Sequence, residues 1–283
     1  MSPQHPYAFK KAVLTSKHQK LQLIQSSFKE ALSLEVVELP LDTDLLGTFS
    51  GEIERVSTPR ETAIKKARLG MQATGMSLGI ASEGSIGPHP SVPWIHSDLE
   101  MMVFVDAERE LIISETFLSH DIVAASIEIS PEDSLDAFLL KTDFPVHALI
   151  AQPINPQEPL VYKGITSLSE LQSAITHCAR LSKINKVRLQ SDLRAMHSPS
   201  RQINIKKAGL LLADRVAALC PSCSTPGWGR SGYQYGVECS DCGQENSEIA
   251  REEILGCVQC DFTTAGKIVN SAIDPGRCNF CNP

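Results

Sequence analysis

Aromatic side chains are scarce in this sequence. Phe, Trp and Tyr together make up 5% of its 283 residues, so the core must be built from aliphatic side chains. Long apolar runs are missing too. None approaches the ~20 residues a helix needs to cross a bilayer, and the opening MSPQHPYAFK lacks the apolar stretch of a secretory signal. No membrane is expected as a partner, and the cytoplasm is the expected compartment. Positive charge is in deficit: 26 Lys and Arg face 33 Asp and Glu, for a net charge of −7. That disfavours nucleic acid as a partner, because such binding rests on neutralising phosphates with Lys and Arg. Internal repeats and low-complexity tracts are absent. At 42% hydrophobic and 21% charged, the composition is that of an ordinary globular protein.

The charge is unevenly distributed. Residues 180–215 hold nine Lys or Arg against two Asp. A local positive surface on an acidic protein suits a small phosphorylated ligand better than a long polyanion, and a solvated helix face is the plainer explanation.

Residues 11–14, 34–39 and 77–81 read as strands, and 19–32 as a helix with Leu21, Ile24, Phe28 and Leu32 on one side. A helix begins near Thr58, which can cap it. Pro59 suits the first turn, Glu61 completes a capping box, and Gly75 ends the helix. Residues 82–85 read as a turn, and 86–97 as a Pro/His loop. Residues 100–106 and 110–114 read as a hairpin. A short helix over 119–125, strands at 126–129, 146–151 and 187–190, and helices over 131–141, 167–182 and 200–219 complete the reading. The β-α-β opening points to an α/β layer architecture. The expectation is an α/β domain over 1–218, with a mixed sheet and flanking helices, followed by a small zinc module over 219–283.

Eight of the nine cysteines fall into four Cys-x-x-Cys knuckles: Cys220/Cys223, Cys239/Cys242, Cys257/Cys260 and Cys278/Cys281. Each knuckle turns two thiolates toward one ion, and two knuckles complete a tetrahedral site. In a cytosolic chain this pattern means metal rather than disulfides. Two structural Zn²⁺ ions are expected, although the spacing alone does not exclude iron. Sequential pairing of the knuckles and nested pairing stand about level, with interleaved pairing behind them. The first knuckle, running on into Ser224, Thr225, Pro226, Gly227 and Trp228, is similar to the nested zinc domain of DnaJ-type chaperones. Residues 220–283 hold four Lys or Arg and eight Asp or Glu. That acidity argues for a structural cap or a protein-interaction module rather than a DNA reader. Cys178, unpaired on an expected helix, reads as a buried small residue.

Three further segments carry chemistry. Thr15, Lys17, His18 and Lys20 lie between a strand and a helix, where free N–H groups favour anions. The loop Gly47–Glu52 carries two glycines that let a backbone approach a ligand. Glu83 follows an apolar strand and precedes Gly84, Ser85 and Gly87, a usual place for a site in an α/β sheet.

Taken together, these segments resemble a family of uncharacterised bacterial proteins with a Gly-Thr-Phe-x-Gly-Glu loop, an Ala-Ser-Glu-Gly-Ser turn, an Arg-Ala-x-His-x-Pro-x-Arg stretch and a Cys-rich tail. Here those are residues 47–52, 81–85, 194–201 and 220–283. Over about residues 8–215 the chain also distantly resembles the inosine-triphosphate pyrophosphatase and Maf superfamily. Thr15, Lys17 and Lys20 fall on that superfamily's phosphate-handling turn. Glu61, Thr62, Lys66 and Ala67 fall on its Glu-Thr…Lys-Ala helix, and Glu83 on its acidic metal-binding turn. His197 and Arg201 echo its late His-Arg element, and Lys17 stands where it has Asn.

The resemblance implies Mg²⁺-dependent hydrolysis of a nucleotide or related phosphate ester. Glu83 is the expected metal ligand or base, with Glu52, Asp98 and Glu100 as further catalytic candidates. Thr15, Lys17, Lys20, Ser85, Arg194, His197 and Arg201 are the ligand-binding candidates. The alternative is a non-catalytic protein that senses a phosphorylated ligand and meets a protein partner through its zinc tail.

Overall fold

The computed structural model describes residues 4–42, 57–89, 92–156 and 158–283. Gly47–Glu52, and with it the candidate Glu52, lies outside the described residues.

The chain opens with β1 (Lys11–Thr15), α1 (Leu21–Leu32), β2 (Glu35–Leu39), α2 (Pro59–Thr74), β3 (Leu78–His89), β4 (Val92–Asp106) and β5 (Leu111–Ser119). These strands form one mixed sheet in the order β2-β1-β3-β4-β5. β2, β1 and β3 run parallel, and β4 and β5 complete the sheet antiparallel. Leu14, Ile80, Phe104 and Ile113 align across the sheet and face α1, together with α5 (Pro199–Ala217). Val13, Ala81 and Val103 face α2, which contributes Ala63, Ala67 and Met71. Two glycines allow the close approach of these layers. A Cβ at Gly209 would lie 2.6 Å from Ile24 on α1, and one at Gly70 would lie 2.0 Å from Thr15 Oγ1.

The α2 boundaries follow the expected signals. Thr58 Oγ1 accepts from the Glu61 N–H, the Glu61 carboxylate accepts from the Thr58 N–H, and Gly75 closes the helix at φ +71°. β3 departs from expectation. The residues read as a turn, 82–85, lie inside a strand that pairs with β4 from Leu78 to Pro88. Cross-strand pairing outweighs the local preference of Gly84, Gly87 and Pro88 for turns.

The expected helix at 119–125 is irregular chain. Its groups bond to α5 instead: Val123 N–H donates to Ser200 Oγ at 3.1 Å, and Asp121 O accepts from Asn204 Nδ2 at 3.1 Å. That passage leads into a second sheet, built from β6 (Ser126–Ile129), β7 (Leu149–Pro153), β8 (Tyr162–Ile165) and β9 (Val187–Ser191) in the order β6-β9-β7-β8, all antiparallel. The helix expected over 131–141 is shorter, α3 at Asp136–Lys141, because Pro131–Asp133 forms a turn in which Ser130 N–H donates to the Asp133 carboxylate. α3 and α4 (Leu168–Leu181) cover this sheet over a core of Leu149, Leu171, Ile175, Cys178 and Leu189. Cys178 is fully buried, and burial pushes its thiol up to about 11. The described residues before the Cys-rich tail thus hold a mixed sheet with flanking helices and a second sheet with a core of its own.

α5 returns to the first sheet and runs into the Cys-rich tail. There β10 (Gly229–Glu238), β11 (Glu245–Gly256) and β12 (Thr263–Ile268) form an antiparallel meander. Among the described residues, no helix is long and apolar enough to cross a membrane.

Candidate functional site

The strand order 2-1-3 makes the C-terminal end of β1, which stops part-way along β3, a topological switch point. The connection from β1 through α1 turns to one side, and α2 leads to the other on the opposite face. In open α/β sheets ligands bind in that crevice. Here it gathers buried charge. Lys20, 5% exposed, ends the turn after β1. Its N–H donates to the Glu38 carboxylate at 2.9 Å and its Nζ to Ser82 Oγ at 2.7 Å. Burial and the nearby Arg201 guanidinium lower the Lys20 ammonium to about 8.

Asp98 and Glu100 sit two residues apart on β4, on the face that packs against α5, and both are fully buried. Arg201 donates through Nε to Glu100 Oε1 at 2.6 Å and through Nη1 to Leu193 O at 2.6 Å. Asn204, one turn further along α5, donates to Asp98 Oδ2 at 2.9 Å. Burial, then the Glu100 carboxylate, pushes Asp98 up to about 6. Asp98 Oδ1 and Glu100 Oε2 are buried and take no donor from the described residues.

Glu83 lies on the other face of the sheet, toward α2, where it forms an ion pair with Lys66. The expected strand-end carboxylate is thus a mid-strand residue, on the opposite face from the Asp98–Glu100 pair. Register places it there: Glu83 is opposite Met101, whereas Glu100 is opposite Gly84.

The remaining candidates are dispersed. Lys17 is partly exposed and pairs with Asp42 at 3.0 Å. Thr15 is buried against α2 at Gly70, and Ser85 is exposed on β3. Arg201 points into the site with no exposed surface, but Arg194 does not join it. Arg194 is bound to Asp192, through Nε to Oδ1 at 2.9 Å and Nη2 to Oδ2 at 2.5 Å. Asp192 also accepts from the Gly164 N–H at 2.9 Å, and His197 lies against Gly164. The basic stretch is therefore divided between two places. Sequence reasoning passed over Ser82 and Asn204. The available signal was polar residues, Arg201 and Asn204, at helical spacing on a side of α5 that is otherwise apolar.

The cysteines form two clusters, Cys220/Cys223/Cys257/Cys260 and Cys239/Cys242/Cys278/Cys281. Sγ atoms lie 3.8 Å apart for Cys220–Cys260, 3.6 Å for Cys223–Cys257, 3.9 Å for Cys239–Cys281 and 3.8 Å for Cys242–Cys278. Four thiolates ~2.3 Å from a central ion stand ~3.8 Å apart in a tetrahedron. Within each cluster the sulfurs all lie within 4.8 Å of one another. Each cluster can hold one zinc ion, and the spacing fits a single ion better than a multi-iron cluster, whose thiolates are shared among several irons.

The pairing is interleaved, first knuckle with third and second with fourth, rather than sequential or nested. The meander causes this. The first knuckle precedes β10 and the third follows β11, at the end where Gly229 pairs with Gly256. The second lies in the β10–β11 turn, and the fourth returns to it through the Cys239–Ile273 bridge. The first cluster is joined to the α/β body. Gly227 and Trp228 N–H groups donate to Ala218 O, Val258 packs on the main core, and Arg215 donates to Glu115 at 2.6 Å and to Gly227 O at 3.3 Å.

A family described as a domain of unknown function (DUF6671) matches residues 66–283. No curated protein matches the chain. Among solved structures, a nucleoside-triphosphatase / dITP/XTP pyrophosphatase from Mycobacterium abscessus is similar at 13% identity, over 60% of this chain and 95% of that one, with a TM-score of 0.26. A likeness that slight leaves function to the chain's own residues.

Proposed function

The chain belongs to the DUF6671 family, and from its own residues we propose that it is a metal-dependent hydrolase of a nucleotide or related phosphate ester, acting at the switch point. One observation carries the reading. Asp98 and Glu100 are two buried carboxyl groups side by side, each with an oxygen that takes no donor from the described residues, and Asp98 is held up to about 6. A divalent cation relieves such a pair. Mg²⁺ is commonly held by one or two carboxylates, with substrate phosphates completing its shell. Asp98 and Glu100 are the residues that would hold it, and the ion would supply charge neutralisation and an activated water.

Arg201 and Asn204 orient the two carboxyl groups from α5. Lys66, close enough to Lys20 to lower its ammonium, supplies positive charge for the phosphates. Glu83, the residue expected to hold the metal, acts through Lys66 by fixing where its ammonium sits. The zinc tail is proposed as a structural cap that also offers a surface to a protein partner.

One observation favours the second reading, a non-catalytic binder of a phosphorylated ligand. Glu83 is paired with Lys66 and Glu100 with Arg201, so the cluster is close to neutral without a metal. The test is to incubate the full chain with Mg²⁺ and a panel of nucleotides, assaying phosphate and pyrophosphate release and, in parallel, binding by calorimetry. Release that needs Mg²⁺ and is lost in Asp98→Asn supports the hydrolase. Tight binding without release selects the second reading. Neither binding nor release rejects a phosphate site at the switch point.

A further inference from the structure

The switch point also holds a nucleophile and a base in contact. Ser82 Oγ lies 2.7 Å from Lys20 Nζ, and the two residues are 7% and 5% exposed. They come from the turn after β1 and from β3, the elements that border the crevice. A serine is activated when an adjacent base takes its proton, and lysine fills that role in Ser–Lys hydrolases.

We infer that Ser82 and Lys20 form a nucleophile–base dyad that gives the hydrolysis proposed above a covalent step. Ser82 Oγ attacks the phosphorus of the bound ester, and its proton passes to neutral Lys20 Nζ. The P–O bond to the leaving group breaks, and the leaving oxygen receives that proton from Lys20. A water then attacks the phosphoserine while Lys20 takes its proton, the Oγ–P bond breaks, and Lys20 returns that proton to Ser82 Oγ, which releases phosphate and restores the serine.

The surroundings set when Lys20 can act. It is faced by Glu38 from β2, Glu83 from β3, Glu100 from β4, Lys66 from α2 and Arg201 from α5. Burial and the two cations favour its neutral form, while Glu100 and Glu83 oppose this. Burial and the cations outweigh the carboxylates, so this amine gives up its proton more readily than an ordinary lysine. Lys66, 14% exposed in its side chain, is the cation placed to meet charge developing on the phosphoryl oxygens.

The test needs no natural substrate. The full-length protein is treated with diisopropyl fluorophosphate, and the adduct is located by mass spectrometry. One adduct per chain, on Ser82, is expected, because the Lys20 amine is the base in contact with its hydroxyl. Labelling should disappear in Ser82→Ala. It should slow at least about a hundredfold in Lys20→Met, the scale of a lost general base. Lys20→Arg keeps the charge and the hydrogen bond but cannot act as a base, so it should be as slow as Lys20→Met while melting like the wild type. Failure of the folded wild type to label, or rapid labelling of Ser82 in Lys20→Arg, overturns the dyad. Nucleotide turnover at the wild-type rate by Ser82→Ala removes the dyad and leaves the hydrolase standing. Labelling of Ser82 in a protein that hydrolyses no nucleotide keeps the dyad and removes the nucleotide reading.

Discussion

The interleaved cysteine pairing yields a test in which each alternative gives a different metal count. The perturbations are double Cys→Ser substitutions. Cys220→Ser with Cys257→Ser removes two ligands from one cluster, so about one zinc per chain should remain. Cys220→Ser with Cys239→Ser takes one ligand from each, and close to none should remain. Sequential pairing demands the reverse order. Nested pairing demands that only the combination of Cys220 with Cys278 retain a zinc.

The structure also separates the consequences for stability. β11 spans 12 residues, which at ~3.4 Å per residue puts the clusters roughly 35–40 Å apart. A structural zinc contributes ~10–16 kcal/mol, comparable with the whole stability of a domain at ~5–15 kcal/mol, so losing either ion unfolds its own end. The first cluster docks Val258 and Gly227 against the body, next to the partly buried Arg215–Glu115 pair. Releasing that contact should cost the α/β body about 2 kcal/mol, the scale of one buried side chain, and lower its melting temperature by roughly 4–8 °C. Among the described residues, the second cluster packs in a small core of its own, Val237, Cys239, Ile273 and Cys278 with Ile249 against it, so its loss should leave the body's melting within about 1 °C. Elemental analysis and calorimetry read both results. One zinc retained by the Cys220/Cys239 variant, or equal loss of body stability from both ends, refutes the arrangement.

Asp98 is raised from 3.8 to about 6, so the unfolded chain loses that proton first and stability should fall as pH rises from about 4 to 6, then level off. Asp98→Asn should therefore melt several degrees higher than wild type at pH 7 with little difference at pH 4, and Mg²⁺ should raise the melting temperature of the wild type alone. Arg201→Met leaves Glu100 buried without its cation and should cost about 3–5 kcal/mol; adding Glu100→Gln should recover much of it, as urea titration would show. Gly70→Ala drives a methyl to 2.0 Å from Thr15 Oγ1 and should lose about 1–3 kcal/mol by overpacking, with partial rescue by Thr15→Ala; an unchanged midpoint in the single variant would mean that α2 does not pack on β1 as described.

Local sequence was enough for elements whose signals are local. The Thr58-Pro59-Glu61 start and Gly75 stop delimit α2, the periodicity of Leu21, Ile24, Phe28 and Leu32 marks α1, and the Cys-x-x-Cys spacing marks the cysteines able to hold metal, because each depends on bonds within a few residues. What depends on partners distant in the chain was not legible. Gly84 and Gly87 look like a turn until β4 pairs with them, and that pairing decides that Glu83 faces α2 and Lys66 while Asp98 and Glu100 face α5. Arg194 and Arg201, seven residues apart in one basic stretch, part company because one meets Asp192 and the other Glu100. The knuckles announce two sites in sequence, but only a three-stranded meander brings the first to the third and the second to the fourth. Residue types specify which groups can bind charge or metal. Strand register and strand direction decide which of them meet, since one step along a strand turns a side chain to the opposite face.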